Sequence, residues 1–143
     1  MELYTVGYEG RTLPQFVRLL RGQGITCVID VRDRPVSRKR GFSATPLAEA
    51  LRKAGIHYVS DRGLGNPAHI RELWKNGSLS DGKAKYRRLL RNGRSERIEG
   101  LLDVASEERV CIVCFERDPD SCHRTIIAEE AVRLAPDLIV HPL

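Results

Sequence analysis

Apolar residues in this chain fall into short continuous runs. Between the runs they recur every three or four positions. The runs predict buried strands and the recurrences predict amphipathic helices. Leu3–Val6 is a first strand. A helix follows from Thr12, with Gln15 placed to complete a capping box and Leu13, Phe16, Val17 and Leu20 on one face. Cys27–Val31 is the second strand. Thr45-Pro46 reads as a cap and first-turn proline, ahead of a stripe of Leu47, Leu51 and Ala54. His57–Ser60 is a short third strand, and Asn66-Pro67 opens another helix by the same logic. Residues 80–105 read as two helices broken at Asn92-Gly93. Val110–Phe115 is the fourth strand. A helix from Cys122 carries Ile126, Ile127, Ala131 and Leu134, and Leu138–His141 ends the pattern.

Strand and helix alternate, and several strands are apolar on both faces. That predicts a mostly parallel sheet of about five strands covered on both sides, an α/β three-layer sandwich of Rossmann-like or flavodoxin-like type. The 143 residues suit one domain spanning 1–143. Strand order is not legible at this level.

Parallelism gives the polar residues their meaning, because open parallel sheets bind ligands outside the carboxyl ends of the strands. Gly7-Tyr8-Glu9-Gly10-Arg11 follows the first strand. Asp30 and Arg32 close the second, with Ser37-Arg38 soon after. Asp61 to Asn66 follow the third, Glu116-Arg117 the fourth, and His141 the last. These loops are expected to share one rim and form a cleft. The bland alternative is that such loops are polar only because they meet water.

Gly7 and Gly10 either let a ligand approach the backbone or make an ordinary tight turn. They form no dinucleotide fingerprint, and no phosphate-binding P-loop is present, so no cofactor is expected. Asp30, flanked by apolar residues, needs a partner. Arg32 lies on the same face, with Arg34, Arg38 and Arg124 as alternatives. A structural ion pair is at least as good a reading as catalysis for Asp30. Arg32 and Arg38 suit a phosphate or carboxylate.

The densest chemistry is Cys114-Phe115-Glu116 followed by Cys122-His123-Arg124. A thiol at a helix start feels the positive end of the helix dipole, and Arg124 favours anions there. Cys122 is therefore the candidate reactive thiol, against the alternative of a half-buried packed thiol. His123 and Glu116 are candidate acid/base groups, as is His141. Cys111, Cys114 and Cys122-His123 invite a zinc reading. However, Cys111 and Cys114 sit three apart on a strand and so face opposite sides. No metal site is expected, and Cys27 and Cys111 read as core. The Cys-x₅-Arg cradle of cysteine phosphatases does not fit, since Cys114 and Arg124 are ten apart.

The net charge of +5 favours acidic or phosphorylated partners. Two basic segments, Arg32–Arg40 and Lys83–Arg97, could meet a phosphate backbone, with Trp74 and Tyr86 near the second; a solvated helix face is the plainer reading. No run is long enough to span a bilayer, and no signal peptide precedes the first strand, so a cytoplasmic location is expected. In that setting the four cysteines are expected to be free thiols.

Several blocks together resemble a known family, the domain of unknown function family 488. Tyr4-Thr5-Val6-Gly7-Tyr8 resembles its opening motif. Ile29-Asp30-Val31-Arg32, Pro35, Ser37-Arg38 and Phe42 resemble its second block. Gly55-Ile56-His57-Tyr58 and Leu64-Gly65 resemble its middle, and Cys114-Phe115-Glu116, Cys122-His123-Arg124 and His141 resemble its closing motifs. The resemblance implies a compact α/β domain that gathers these residues, and supplies no activity.

The leading expectation is an enzyme-like domain whose cleft binds a phosphorylated substrate, a nucleotide or nucleic acid. Cys122, His123, Glu116 and His141 would carry the chemistry. Gly7, Tyr8, Arg32, Ser37, Arg38, Cys114 and Arg124 would hold the anion. The alternatives are a non-enzymatic nucleic-acid-binding module and a structural subunit.

Overall fold

In the computed structural model, which describes residues 1–143, five strands form one parallel sheet in the order β3-β2-β4-β1-β5. The strands are β1 (Glu2–Gly7), β2 (Cys27–Asp30), β3 (His57–Ser60), β4 (Val110–Cys114) and β5 (Ile139–Pro142). The helices are α1 (Leu13–Gly22), α2 (Ala44–Lys53), α3 (Ala68–Lys75), α4 (Leu79–Gly93), α5 (Ser95–Glu107) and α6 (Arg124–Leu134). The expected three-layer α/β sandwich is what forms.

Strand alternation explains the layers. Val110, Ile112 and Cys114 of β4 pack with Tyr86, Leu90, Ile98, Leu101 and Ile127 from α4, α5 and α6. Cys111 and Val113 pack with Phe16, Leu20, Leu47 and Leu51 from α1 and α2. Each central strand thus feeds both cores, which is why its apolar run is unbroken. Only β1, β2 and β4 are buried this way. The edge strands β3 and β5 are largely exposed.

Local signals set most boundaries. Thr12 caps α1 with Gln15 in a reciprocal capping box, as expected. The break between α4 and α5 falls at Arg94, just after Gly93. Three starts differ from expectation. α3 begins at Ala68 with Pro67 at the cap position, so Asn66 does not cap it. α2 begins before Thr45, with Ser43 at the cap position. α6 begins at Arg124, because Pro119–Ser121 forms a tight 3₁₀ turn and Cys122 stays extended. Cys122 therefore lies just outside the helix rather than in its first turn.

The strand order creates a seam. From β2 the chain leaves over the α1/α2 face toward β3. From β4 it leaves over the opposite face toward β5. Neighbouring strands whose connections part in this way leave a crevice at their carboxyl ends.

A cationic cleft over a cysteine pair

The crevice at the β2–β4 seam is a cavity of about 540 Å³, the scale of small-molecule sites. Five cationic side chains line it, Arg32, Arg34, Arg38, Arg71 and Lys75, against the carboxylates of Asp33 and Glu116. One wall is apolar, formed by Trp74, Leu79, Val36 and Phe115, while Cys114 and His123 lie at the floor.

Backbone pairing beyond β1 and β4 builds that floor. Tyr8 N–H donates to the Cys114 carbonyl (3.2 Å) and Glu9 N–H to the Phe115 carbonyl (2.9 Å), so the two loops leave the sheet together. Gly7 is required here: a Cβ would collide with the Glu116 carbonyl oxygen. This is a packing reason for Gly7, which does not line the cavity.

On the β2 side, Asp30 is wholly buried and Arg32 is its partner, as the spacing suggested. The guanidinium donates to both carboxylate oxygens (2.8 and 2.7 Å), to the Tyr8 hydroxyl (3.1 Å) and to the Phe42 carbonyl (2.6 Å). Tyr58 adds a 2.5 Å bond to Asp30. Burial opposes the Arg32 charge, but the bonds to Asp30 outweigh it and hold its pKa above the usual value. Burial, then Asp30, pushes the Tyr58 hydroxyl up. Tyr8 stacks on Phe42 at 4.4 Å, which fixes the wall.

On the β4 side the expectation of four free thiols is corrected. Cys114 and Cys122 are joined by a disulfide across an eight-residue separation, and only Cys27 and Cys111 are free. Both free thiols are buried core residues, as expected, and burial raises the Cys27 pKa to about 11. Cys111 and Cys114 do face opposite cores. Both paired cysteines are buried, Cys114 at 1% exposure and Cys122 at 2%, and of the two only Cys114 borders the cavity.

Arg124 is buried behind the pair. Its guanidinium donates to Cys114 Sγ (3.0 Å), to the Arg117 carbonyl (3.0 Å) and to the Glu116 carbonyl. Its Nε has no partner. Burial lowers the Arg124 pKa, partly offset by Glu116. Arg124 is thus under the floor and does not face the cavity.

His123 is buried, not solvent-facing. Its Nε2 is 2.7 Å from the Val31 carbonyl, so Nε2 carries the proton and Nδ1 keeps its lone pair, 3.7 Å from Cys122 Sγ. Burial pushes its pKa down to about 4, and the ring is neutral at pH 7. Cys114, Cys122 and His123 offer ligand atoms all within 4.8 Å, the one set here with the spacing of metal ligands. The guanidinium against Cys114 opposes a divalent cation at that spot.

The remaining candidates separate. Tyr8, Arg32, Ser37, Arg38, Cys114, Glu116 and His123 meet at the cavity. His141 does not. It lies on β5, two strands from the seam, bonded to Glu2 at 2.9 Å and stacked on Tyr4 at 4.6 Å. The helix expected after Asn66-Pro67 is α3, and its contribution to the cleft, Arg71, Trp74 and Lys75, is not among the sequence-based candidates. Their i, i+3, i+4 spacing puts them on one helix face, a signal that was present. Tyr86 is no stacking platform: it is buried and bonds the Leu64 carbonyl at 2.6 Å.

The second basic segment is largely committed to structure. Arg87 pairs with Glu129 (2.9 Å), and Arg91 and Arg133 pair with the buried Glu130 (3.0 and 2.8 Å). Arg94 donates to the Gly63 and Gly65 carbonyls, and Arg97 pairs with Asp61. No helix is long and apolar enough to cross a membrane.

Neither the curated proteins nor the solved structures give a significant match. A family model does, that of the domain of unknown function DUF488, over residues 12–131. That span holds Asp30, Arg32, the α3 wall, both paired cysteines and Arg124, and the chain belongs to the DUF488 family.

Proposed function

We propose that the cleft binds a phosphorylated ligand of nucleotide size, or a nucleic-acid end, and that the cysteine pair beneath it is the reactive group. One observation carries the reading: Arg34, Arg38 and Lys75 line the cavity without any carboxylate within ion-pair distance. Cations left unpaired around a concave surface attract an anion, and Arg forks suit phosphate. Trp74 and Phe115 supply a face for a planar ring, and Tyr8 and Ser37 add hydroxyl partners. Glu116 and His123 stand at the same floor as candidate proton-transfer groups.

Trp74 is the single tryptophan, so its fluorescence reports the cleft directly. Titration with a nucleoside triphosphate, pyrophosphate and the uncharged nucleoside tests the proposal. Saturable signals are expected for the two anions, with affinity falling as salt rises. Arg38→Ala should weaken nucleotide binding by about ten-fold, ~1.4 kcal/mol. Equal binding of the uncharged nucleoside, or no binding of either anion, overturns the reading.

A further inference from the structure

Arg124 is a buried cation that lacks an anion. It is 1% exposed, its polar contacts are one sulfur and two backbone carbonyls, and its Nε bonds nothing. A buried charge in that state is costly. A disulfide sulfur is a weak acceptor, whereas a thiolate at 3.0 Å would be a counter-ion in direct contact. Cys122 has different neighbours, one neutral backbone donor, the Arg124 N–H at 3.5 Å, and the lone pair of His123 Nδ1, to which a thiol can donate. The surroundings therefore split the pair once it is reduced.

We infer that the chain is a thiol–disulfide exchange protein whose working form is the dithiol, with Cys114 as attacking thiolate, Cys122 as resolving thiol, and disulfides bearing negative charge as substrates. Cys114 is the sulfur at the cavity, so a substrate meets it first. This reassigns the reactive role expected for Cys122. Other charges stand further off: Arg71 and Arg11 on one side, Asp33, Glu116 and Asp118 on the other. Arg124 alone touches the sulfur.

The chemistry balances. The Cys114 thiolate attacks one sulfur of R–S–S–R′, a mixed disulfide forms on Cys114, and R′–S⁻ leaves with the electron pair. Cys122 passes its proton by way of His123 Nδ1 to the leaving thiolate, and its sulfur attacks Cys114 Sγ. The bond from Cys114 to R breaks, R–S⁻ leaves, and the Cys114–Cys122 disulfide remains. The protein loses two electrons and the substrate gains two. A dithiol reductant runs the same exchange backwards. The inference rests on the proposed reactivity of the cysteine pair, but the exchange needs no phosphorylated ligand, so a failure of nucleotide binding and a failure of exchange are distinguishable; the cationic walls favour anionic substrates.

The test uses the full chain, reduced with a phosphine and then freed of it. It is mixed with 5,5′-dithiobis(2-nitrobenzoate), a dianionic disulfide, or with cystamine, a dicationic one. Early samples are acid-quenched and mapped by mass spectrometry. In the wild type the first label is expected on Cys114, followed by its loss and closure of the Cys114–Cys122 bond. Cys122→Ser should trap the label on Cys114, and Cys114→Ser should slow labelling by at least about ten-fold. The dianion should outpace the dication by about ten-fold at low salt, with the gap closing as salt rises. First labelling of Cys122, an unresolved mixed disulfide in the wild type, or equal rates for both reagents overturns the inference. So does stoichiometric Zn²⁺ binding that silences the reduced pair. The wild-type map needs no variant to fold.

Discussion

Two buried arginines flank the seam, and they are opposites. Arg32 has a complete set of partners: both oxygens of Asp30, a tyrosine hydroxyl and a backbone carbonyl, with Tyr58 completing the carboxylate. Arg124 has no carboxylate at all, only a sulfur, two carbonyls and an orphaned Nε. The same residue type at comparable burial is closed on one side of the seam and open on the other. Arg32 ties β2 to the loops around the cleft. Arg124 waits for a negative charge, and the group positioned to supply it is a cysteine that is at present oxidised. The contrast separates a device for stability from a device for chemistry.

The largest effect should come from breaking the closed side. Asp30→Ala strands Arg32 as an unpaired buried cation, so unfolding in denaturant should show a loss of about 3–5 kcal/mol. A loss under about 1 kcal/mol would mean that water reaches Arg32 and that the two arginines do not differ.

Next in size is an acid dependence centred on His123. Its folded pKa of about 4 lies below the ordinary 6.5, so the unfolded chain binds the extra proton first. Stability is full above pH 6.5 and falls as pH drops from 6.5 toward 4, by up to about 3 kcal/mol. His123→Gln should flatten that segment of a stability–pH curve. An unchanged slope would place the acid sensitivity elsewhere.

The smallest effect should appear on the open side in the oxidised protein. Arg124→Met removes a charge that has no counter-ion, and thermal melts should shift by less than about 1 kcal/mol or rise. The same substitution in the reduced protein should slow labelling of Cys114. A large loss of stability in the oxidised state would show that the guanidinium is satisfied without a thiolate.

Much of this was legible in the sequence. Apolar runs gave the parallel sheet, the two-residue spacing paired Asp30 with Arg32, the strand-end rule gathered Tyr8, Ser37, Arg38 and Glu116, and the Cys122-His123-Arg124 motif offered His123. The disulfide was not legible, because an eight-residue loop says nothing about which sulfurs meet, and a presumed reducing setting argued against it. His141 obeyed the strand-end rule but sits on the far edge, and strand order decides that. Arg71, Trp74 and Lys75 were readable as a helix face, but nothing in sequence turned that face toward the seam. The start of α6 was not legible to the residue, because the Pro119–Ser121 turn keeps Cys122 extended and delays the helix to Arg124.

The central claim is that Arg124 prepares Cys114 to be an anion. The direct measurement is the rate of iodoacetamide alkylation of Cys114 and Cys122 in the reduced protein across pH, read by peptide mass spectrometry. The account predicts that Cys114 reaches half its limiting rate well below pH ~8.5, the ordinary thiol value, and that Arg124→Met moves that midpoint upward. A Cys114 midpoint at or above ~8.5 in the wild type, indifferent to Arg124, would contradict it.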